Sequence, residues 1–412
     1  MTIALLPEAH RPRTRTWTPR LAAQLTVLAA SAFVYVTAEL APVGALPAIA
    51  TDLRVGEAAV GALVASYALV AAVMTVPLVR WTAHWSRRRT LLVTLVTLTV
   101  AQTVSALSPD LWVLGAGRVS CALTHGLMWS VIAPIAVRLV PASHAGRATT
   151  AIYVGSALAL VVGSPLTAAL SQVWGWRPAF ALIAAAAAAV TVAAWLLLPA
   201  MAGHSAPAIP ARRRRLNLRL VTLCLLTAVG VSAHFISYTF IVVIIRDVVG
   251  VHGPALAWLL LLYGAAGLTA MGAMARPLDR RPRSAALVGL GGMAGAFLVL
   301  MLLALAGGAG PIVVVIGGMA VVLWGAMATA LPPMLQSAAM RAAPEDPDAG
   351  SGWYVAAFQV GIMAGSLAGG FLYESAGIAG MIAASALLVG AASVGVITQR
   401  GLFQTPQATR SR

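Results

Sequence analysis

Glu39 stands in a long apolar run, with Tyr35 and Ser31 one and two helical turns before it on the same face. Ionisable groups in hydrocarbon cost at least ~2.5–3.5 kcal/mol each, so those that occur there generally line a cavity and carry function. Burial disfavours a carboxylate and a nearby cation favours it, so such a group can take and release a proton as access changes. Arg118 is the one arginine within an apolar run, and Arg118, Ala122, His125 and Trp129 follow one helical face. An Arg118–Glu39 pair is expected, holding the carboxylate ionised until a proton or a substrate displaces it. A plain structural ion pair would use the same residues. His234 and Tyr238 are four apart and project together. Imidazole titrates near neutrality, so His125 and His234 are either substrate contacts or hydrogen-bonded packing groups. Tyr35, Trp129, Trp324, Phe358 and Gln359 complete the candidate cavity lining, with helix packing as the competing role for the aromatics.

Other chemistries find no residues. Cys121 and Cys224 both sit in apolar stretches and suggest neither a disulfide framework nor a metal site. There is no phosphate-binding loop, metal cluster or nucleophile triad. The expectation is a protein that is not an enzyme, holds no metal or cofactor and draws on a proton gradient.

The elements that carry these residues are membrane helices. Of 412 residues, 60% are apolar and 9% charged, where a water-facing domain carries about 25% charge. A spanning helix needs about 20 apolar residues, and twelve are placed near 21–45, 57–81, 90–108, 111–139, 148–172, 178–199, 219–245, 254–276, 285–306, 311–336, 350–373 and 378–398. The net charge of +16 does not indicate nucleic acid, because the 27 basic residues are all arginines in short clusters between apolar runs. Cytoplasmic loops retain positive charge. With the N-terminus inside, the cytoplasmic segments hold 23 arginines, the outer loops hold Arg54, Arg177 and Arg246, and Arg118 lies within a span. The expected organisation is a cytoplasmic tail (1–20), a six-helix bundle (21–199), a Pro-, Ala- and Arg-rich cytoplasmic linker (200–218), a second six-helix bundle (219–398) and a cytoplasmic tail (399–412) in the inner membrane.

The bundles repeat. Tyr67, Arg80 and Arg87 match Tyr263, Arg276 and Arg283 at an offset of 196; Gly126 and Pro134 match Gly325 and Pro333 at 199; Tyr153 matches Tyr354 at 201. In-order matches across corresponding spans argue for duplication. Parallel repeats place a transport site between the halves near midplane. Gly361, Gly365 and Gly369 form GxxxGxxxG, which brings helices close, either within the chain or between copies; a monomer is expected.

Segment 76–92, VPLVRWTAHWSRRRTLL, resembles the signature loop of the major facilitator superfamily, G-x-L-A-D-R-x-G-R-R. Val79, Ala83 and Ser86 replace its glycine, aspartate and second glycine, while ARPLDRRPR (275–283) keeps an acid at Asp279. Segments 37–53, 117–141, with its arginine and HG pair, 155–166, GWR at 175–177 and HFISYTF at 234–240 resemble the twelve-helix drug:proton antiporters, in their sugar-efflux and amphenicol-efflux branch. The resemblance implies an all-α major facilitator fold of two pseudo-symmetric bundles. It also implies proton-coupled export of a small amphipathic molecule, with protons, substrate and lipid as partners. Proton coupling falls on Glu39 and Arg118, and conformational gating on Arg80, Arg87, Arg88, Asp279, Arg280, Gly163 and Pro165. A sugar or nucleoside facilitator without proton coupling and a non-transporting membrane sensor remain alternatives.

Overall fold

The computed structural model describes residues 18–82, 84–140, 145–199, 217–343, 347–399 and 402. The first half comprises α1 (Pro19–Gly44), α2 (Leu46–Leu53), α3 (Glu57–Trp81), α4 (Arg87–Ala106), α5 (Leu111–Arg138), α6 (Ala145–Leu158), a π-turn (Ala159–Gly163), α7 (Ser164–Trp174) and α8 (Trp176–Leu197). The second comprises α9 (Leu218–Tyr238), α10 (Ile241–Ile244), a second π-turn (Ile245–Val249), α11 (Pro254–Arg280), α12 (Pro282–Ala306), α13 (Pro311–Ala342) and α14 (Pro347–Thr398). Local chemistry sets the starts. The Asp110 carboxylate accepts from the backbone N–H groups of Trp112 and Val113 at 2.8 and 2.9 Å, and Ser86 Oγ accepts from Arg89 N at 3.3 Å. Both satisfy donors that a helix N-terminus leaves unpaired.

Eleven stretches of the described residues are long and apolar enough to cross a membrane, and the last, Trp353–Thr398, has 46 residues. At 1.5 Å per residue it would extend roughly 70 Å, over twice the hydrocarbon thickness. It breaks at Gly377, whose φ of 69° is open to glycine at little cost. Two spans meet there, giving the twelve crossings expected. The sequence pattern does not show that the first, fifth and seventh spans are interrupted, at Ala45, by the first π-turn and near Thr239. Large apolar side chains such as Trp112, 87% exposed, and Leu305 cover the outer surface, which is compatible with lipid rather than water.

Within the first half α4 packs on α5 and α8, and α1 on α6 and α8; within the second, α9 packs on α14, and α13 on α11 and α12. Two seams join them: α3 against α14, and α7 with its π-turn against α11. The GxxxGxxxG face is consumed inside the chain. A Cβ on Gly361, Gly365 or Gly369 would lie 2.7, 2.5 and 2.5 Å from Val231 Cβ, Ser232 O and Ile236 O of α9. Gly163 ends the π-turn, and a Cβ there would lie 2.2 Å from Thr37 Oγ1. Pro165 follows within the first turn of α7, where its missing N–H costs little.

Candidate functional site

Arg118 is fully buried. Its Nη1 donates to the main-chain oxygen of Ala38 and its Nη2 to that of Glu39 at 2.6 Å, and the guanidinium lies 4.6 Å from the centroid of the Tyr67 ring. The expected side-chain pair with Glu39 is therefore replaced by a cation on carbonyls. Pro42 supplies the reason. It lies inside α1, has no N–H, and leaves the carbonyl four residues earlier, that of Ala38, without its helical donor. Arg118 fills that vacancy. The signal was present in the spacing of Pro42 and Ala38.

The Glu39 carboxylate meets His125 instead. Its side chain is 14% exposed, and Oε2 lies 3.9 Å from His125 Nδ1. Nδ1 also lies 2.9 Å from the Tyr67 hydroxyl. Gln359, on α14 of the other half, places its amide nitrogen 3.4 Å from His125 Nε2. An amide N–H only donates, so Nε2 accepts and the neutral ring carries its proton on Nδ1, facing Tyr67 and Glu39. Gln359 Oε1 is buried and has no partner among the described residues. A chain of groups able to hold or pass a proton thus runs Glu39–His125–Tyr67, near the middle of α3 and α5, and touches the opposite half through one side chain.

The aromatic candidates separate into layers. Tyr35 is fully buried and spends its hydroxyl within the first half, donating to Thr94 O at 2.9 Å and meeting Thr124 Oγ1 at 2.8 Å. Trp129 stacks on Tyr153 with centroids 6.2 Å apart. In the second half, His234 lies stacked on Tyr238 at 4.8 Å, and the buried Trp324 donates its indole N–H to His234 Nδ1 at 3.0 Å. Indole nitrogen has no acceptor. Neutral His234 therefore carries its proton on Nε2, as a fixed donor beside an aromatic face. Phe358 is half-buried against Tyr354, 6.0 Å between centroids.

A second bridge between the halves escaped the sequence. At the end of the bundle opposite the arginine-rich loops, Arg246 Nη1 lies 3.0 Å from Glu57 Oε1, and the Tyr373 hydroxyl donates to Glu57 Oε2 at 2.8 Å. Phe240 stacks on Tyr373 at 5.3 Å. Asp247 holds Arg246 at 2.5 and 2.7 Å and, with Glu57, pushes its pKa above the ordinary arginine value. These residues lie on three separate elements with no common spacing, so no periodicity marks them. Nearby, Asp52 binds Arg177 and accepts the Trp176 indole N–H at 3.1 Å, and the Arg177 contact chiefly lowers its pKa.

Of the expected gating residues, Arg87 and Arg88 stand at the start of α4, where Arg88 donates to Trp195 O of α8. The side chains of Arg80, Asp279 and Arg280 lie outside the described residues, as do 1–17 and 200–216 of the expected tail and linker. Among the described residues no group of three His, Cys, Asp or Glu could hold a metal.

Twelve apolar crossings, two packed halves and a polar network on the seam between them define a secondary membrane transporter. The chain belongs to the Major Facilitator Superfamily, whose family model matches residues 28–348. It is 59% identical over 396 residues to a chloramphenicol efflux pump of Mycobacterium tuberculosis, covering 95% of this chain and 96% of that one. It is 29% identical over 377 residues to a protein of Mannheimia succiniciproducens described as "Probable sugar efflux transporter", with 90% and 92% covered. Among solved structures, a bacterial homolog of the human lysosomal transporter Spinster, inward-facing and occupied, aligns with a TM-score of 0.75 at 14% identity, over 96% of this chain and all of that one. A nucleoside transporter aligns at 0.74 and 13%, over 93% of this chain and all of that one. These two share the fold.

Proposed function

We propose that this protein exports small amphipathic molecules of the amphenicol class from the cytoplasm in exchange for protons, as a monomer with both termini cytoplasmic. The carrying observation is the seam network: an acid, an imidazole and a phenol in contact, with Gln359 of the opposite half on the imidazole. A proton arriving from outside binds Glu39 or His125. Protonated His125 gains an Nε2–H, and a half-turn of the Gln359 amide presents Oε1 to it. Protonation thereby changes a contact between the halves, which is what alternating access needs. Arg118 keeps a fixed positive field near Glu39 and holds α1 at its proline break.

An amphenicol has an aromatic ring with hydroxyl and amide groups, and the Tyr238–His234 surface offers a stacking face with a fixed donor. The efflux relative at 59% identity supports that cargo. The arginine split of 23 to 3 supports the orientation, and the internal use of the glycine face supports the monomer.

The test is accumulation of labelled chloramphenicol in energised inverted vesicles. Accumulation should collapse with the pH gradient, and Glu39→Gln should abolish it while leaving energy-independent exchange. Accumulation that survives loss of the gradient, or a Glu39→Gln protein as active as wild type, would overturn proton coupling. Transport of sugars but not chloramphenicol would overturn the cargo.

A further inference from the structure

Away from the seam, one groove combines cations with apolar walls. It lies between α4 and α8 at the arginine-rich end and encloses about 400 Å³, with Arg88 and Arg89 at its mouth, Leu92, Val93 and Val96 below them, and Trp195 on the facing wall. From 88 to 97 the helix rises roughly 14 Å, about half the ~30 Å hydrocarbon core. The groove is thus one leaflet deep, with charge at headgroup level and aliphatic side chains beneath. Val96 and Trp195 are exposed at 50% and 61%, so lipid reaches it.

The charges are not spent within the protein. Arg88 buries its Nε, which has no partner among the described residues, and donates one Nη2 hydrogen to Trp195 O, which leaves three of a guanidinium's five N–H donors for a ligand. Arg89 is fixed over the Trp85 ring at 4.6 Å. The N-terminus of α4, capped by Ser86, adds partial positive charge. No acidic side chain lines the groove. Two cations and a helix end call for an anion, while the apolar wall below calls for a hydrocarbon chain. Free phosphate satisfies only the first.

We propose that this groove binds one anionic phospholipid of the leaflet at the arginine-rich end, its phosphodiester on Arg88 and Arg89 and an acyl chain along Leu92, Val93 and Val96. The lipid would clamp α4 to α8 next to the loop expected to gate transport. This site stands independently of the cargo and of proton coupling.

Native mass spectrometry of the full-length purified protein, titrated with phosphatidylglycerol and with phosphatidylcholine of the same chains, tests it. One phosphatidylglycerol should bind at least tenfold more tightly than phosphatidylcholine. Arg88→Gln with Arg89→Gln should weaken it about 30-fold, taking about 1 kcal/mol for each arginine. Val93→Trp fills the groove with the charges intact and should weaken it comparably. A photoactivatable phosphatidylglycerol should label the Trp195 peptide in the wild type, which requires no variant to fold. Equal affinity for the two lipids, unchanged binding in either variant, or labelling elsewhere would overturn the site. Displacement of the lipid by inorganic phosphate at equal concentration would overturn the lipid as its occupant.

Discussion

Glu57→Gln should release the bridge at the end opposite the arginine-rich loops. The carboxylate side chain is 16% exposed and takes Arg246 at 3.0 Å and Tyr373 at 2.8 Å, both from the other half. Glutamine keeps the shape but loses the charge and one acceptor oxygen. Hydrogen bonds to charged groups contribute about 1.5–3 kcal/mol net. The partial exposure of Arg246, 32% for its side chain, places this pair toward the low end. Weakening both contacts should therefore cost the closed arrangement about 2 kcal/mol, roughly a 30-fold shift. An open state held at about 1% would rise to about a quarter of the molecules. Nitroxides at Thr51 and Ser375, exposed positions on opposite halves at this end, would report it by double electron–electron resonance in lipid discs. The Glu57→Gln protein should gain a longer distance, Arg246→Gln should do the same, and the double variant should add little, because both remove one contact. An unchanged distance distribution, or additive effects of the two substitutions, would refute the bridge.

Three further outcomes are expected. Arg118→Met should destabilise the detergent-solubilised protein by about 1–3 kcal/mol, the cost of stranding the Ala38 carbonyl. In a Pro42→Ala background, where a new N–H can reach that carbonyl, thermal melts should show the cost reduced by about 1 kcal/mol or more; equal costs in both backgrounds would exclude this role. Gly365→Ala should destabilise by about 1–3 kcal/mol, because its Cβ meets Ser232 O at 2.5 Å, whereas Gly390→Ala, with nothing within 4 Å, should be neutral or mildly stabilising in the same melt. Asp52 has a folded pKa below its unfolded value, so its contribution is present above about pH 4, the unfolded range, and lost as pH falls through the lower folded value. With the pair 37% and 45% exposed, that contribution is about 0–1 kcal/mol. Asp52→Asn should accordingly cost up to that amount at pH 7, and its difference from the wild type should vanish as the pH falls below the folded value.

Much of this protein follows from one-dimensional information. Hydrocarbon admits only stretches whose backbone bonds are satisfied internally, so apolar length alone located the spans, including the two that meet at Gly377. The duplication and the arginine clusters were equally legible, because loop charge and repeat offset are properties of order along the chain. Glu39, Arg118, His125 and His234 stood out because ionisable and polar groups are rare inside such runs.

Partner choice was a different matter. The sequence presented Arg118 and Glu39 as an ion pair, and only packing showed that Arg118 serves a carbonyl freed by Pro42 while Glu39 faces His125. Gln359 reaches that histidine from 234 residues away, and Glu57, Arg246 and Tyr373 converge from three elements. Periodicity states which residues share a helix face, but not which face of another helix comes to meet it. That is set by how closely backbones approach, here through glycines of α14 and the π-turn before α7, and it exists only once the helices are packed.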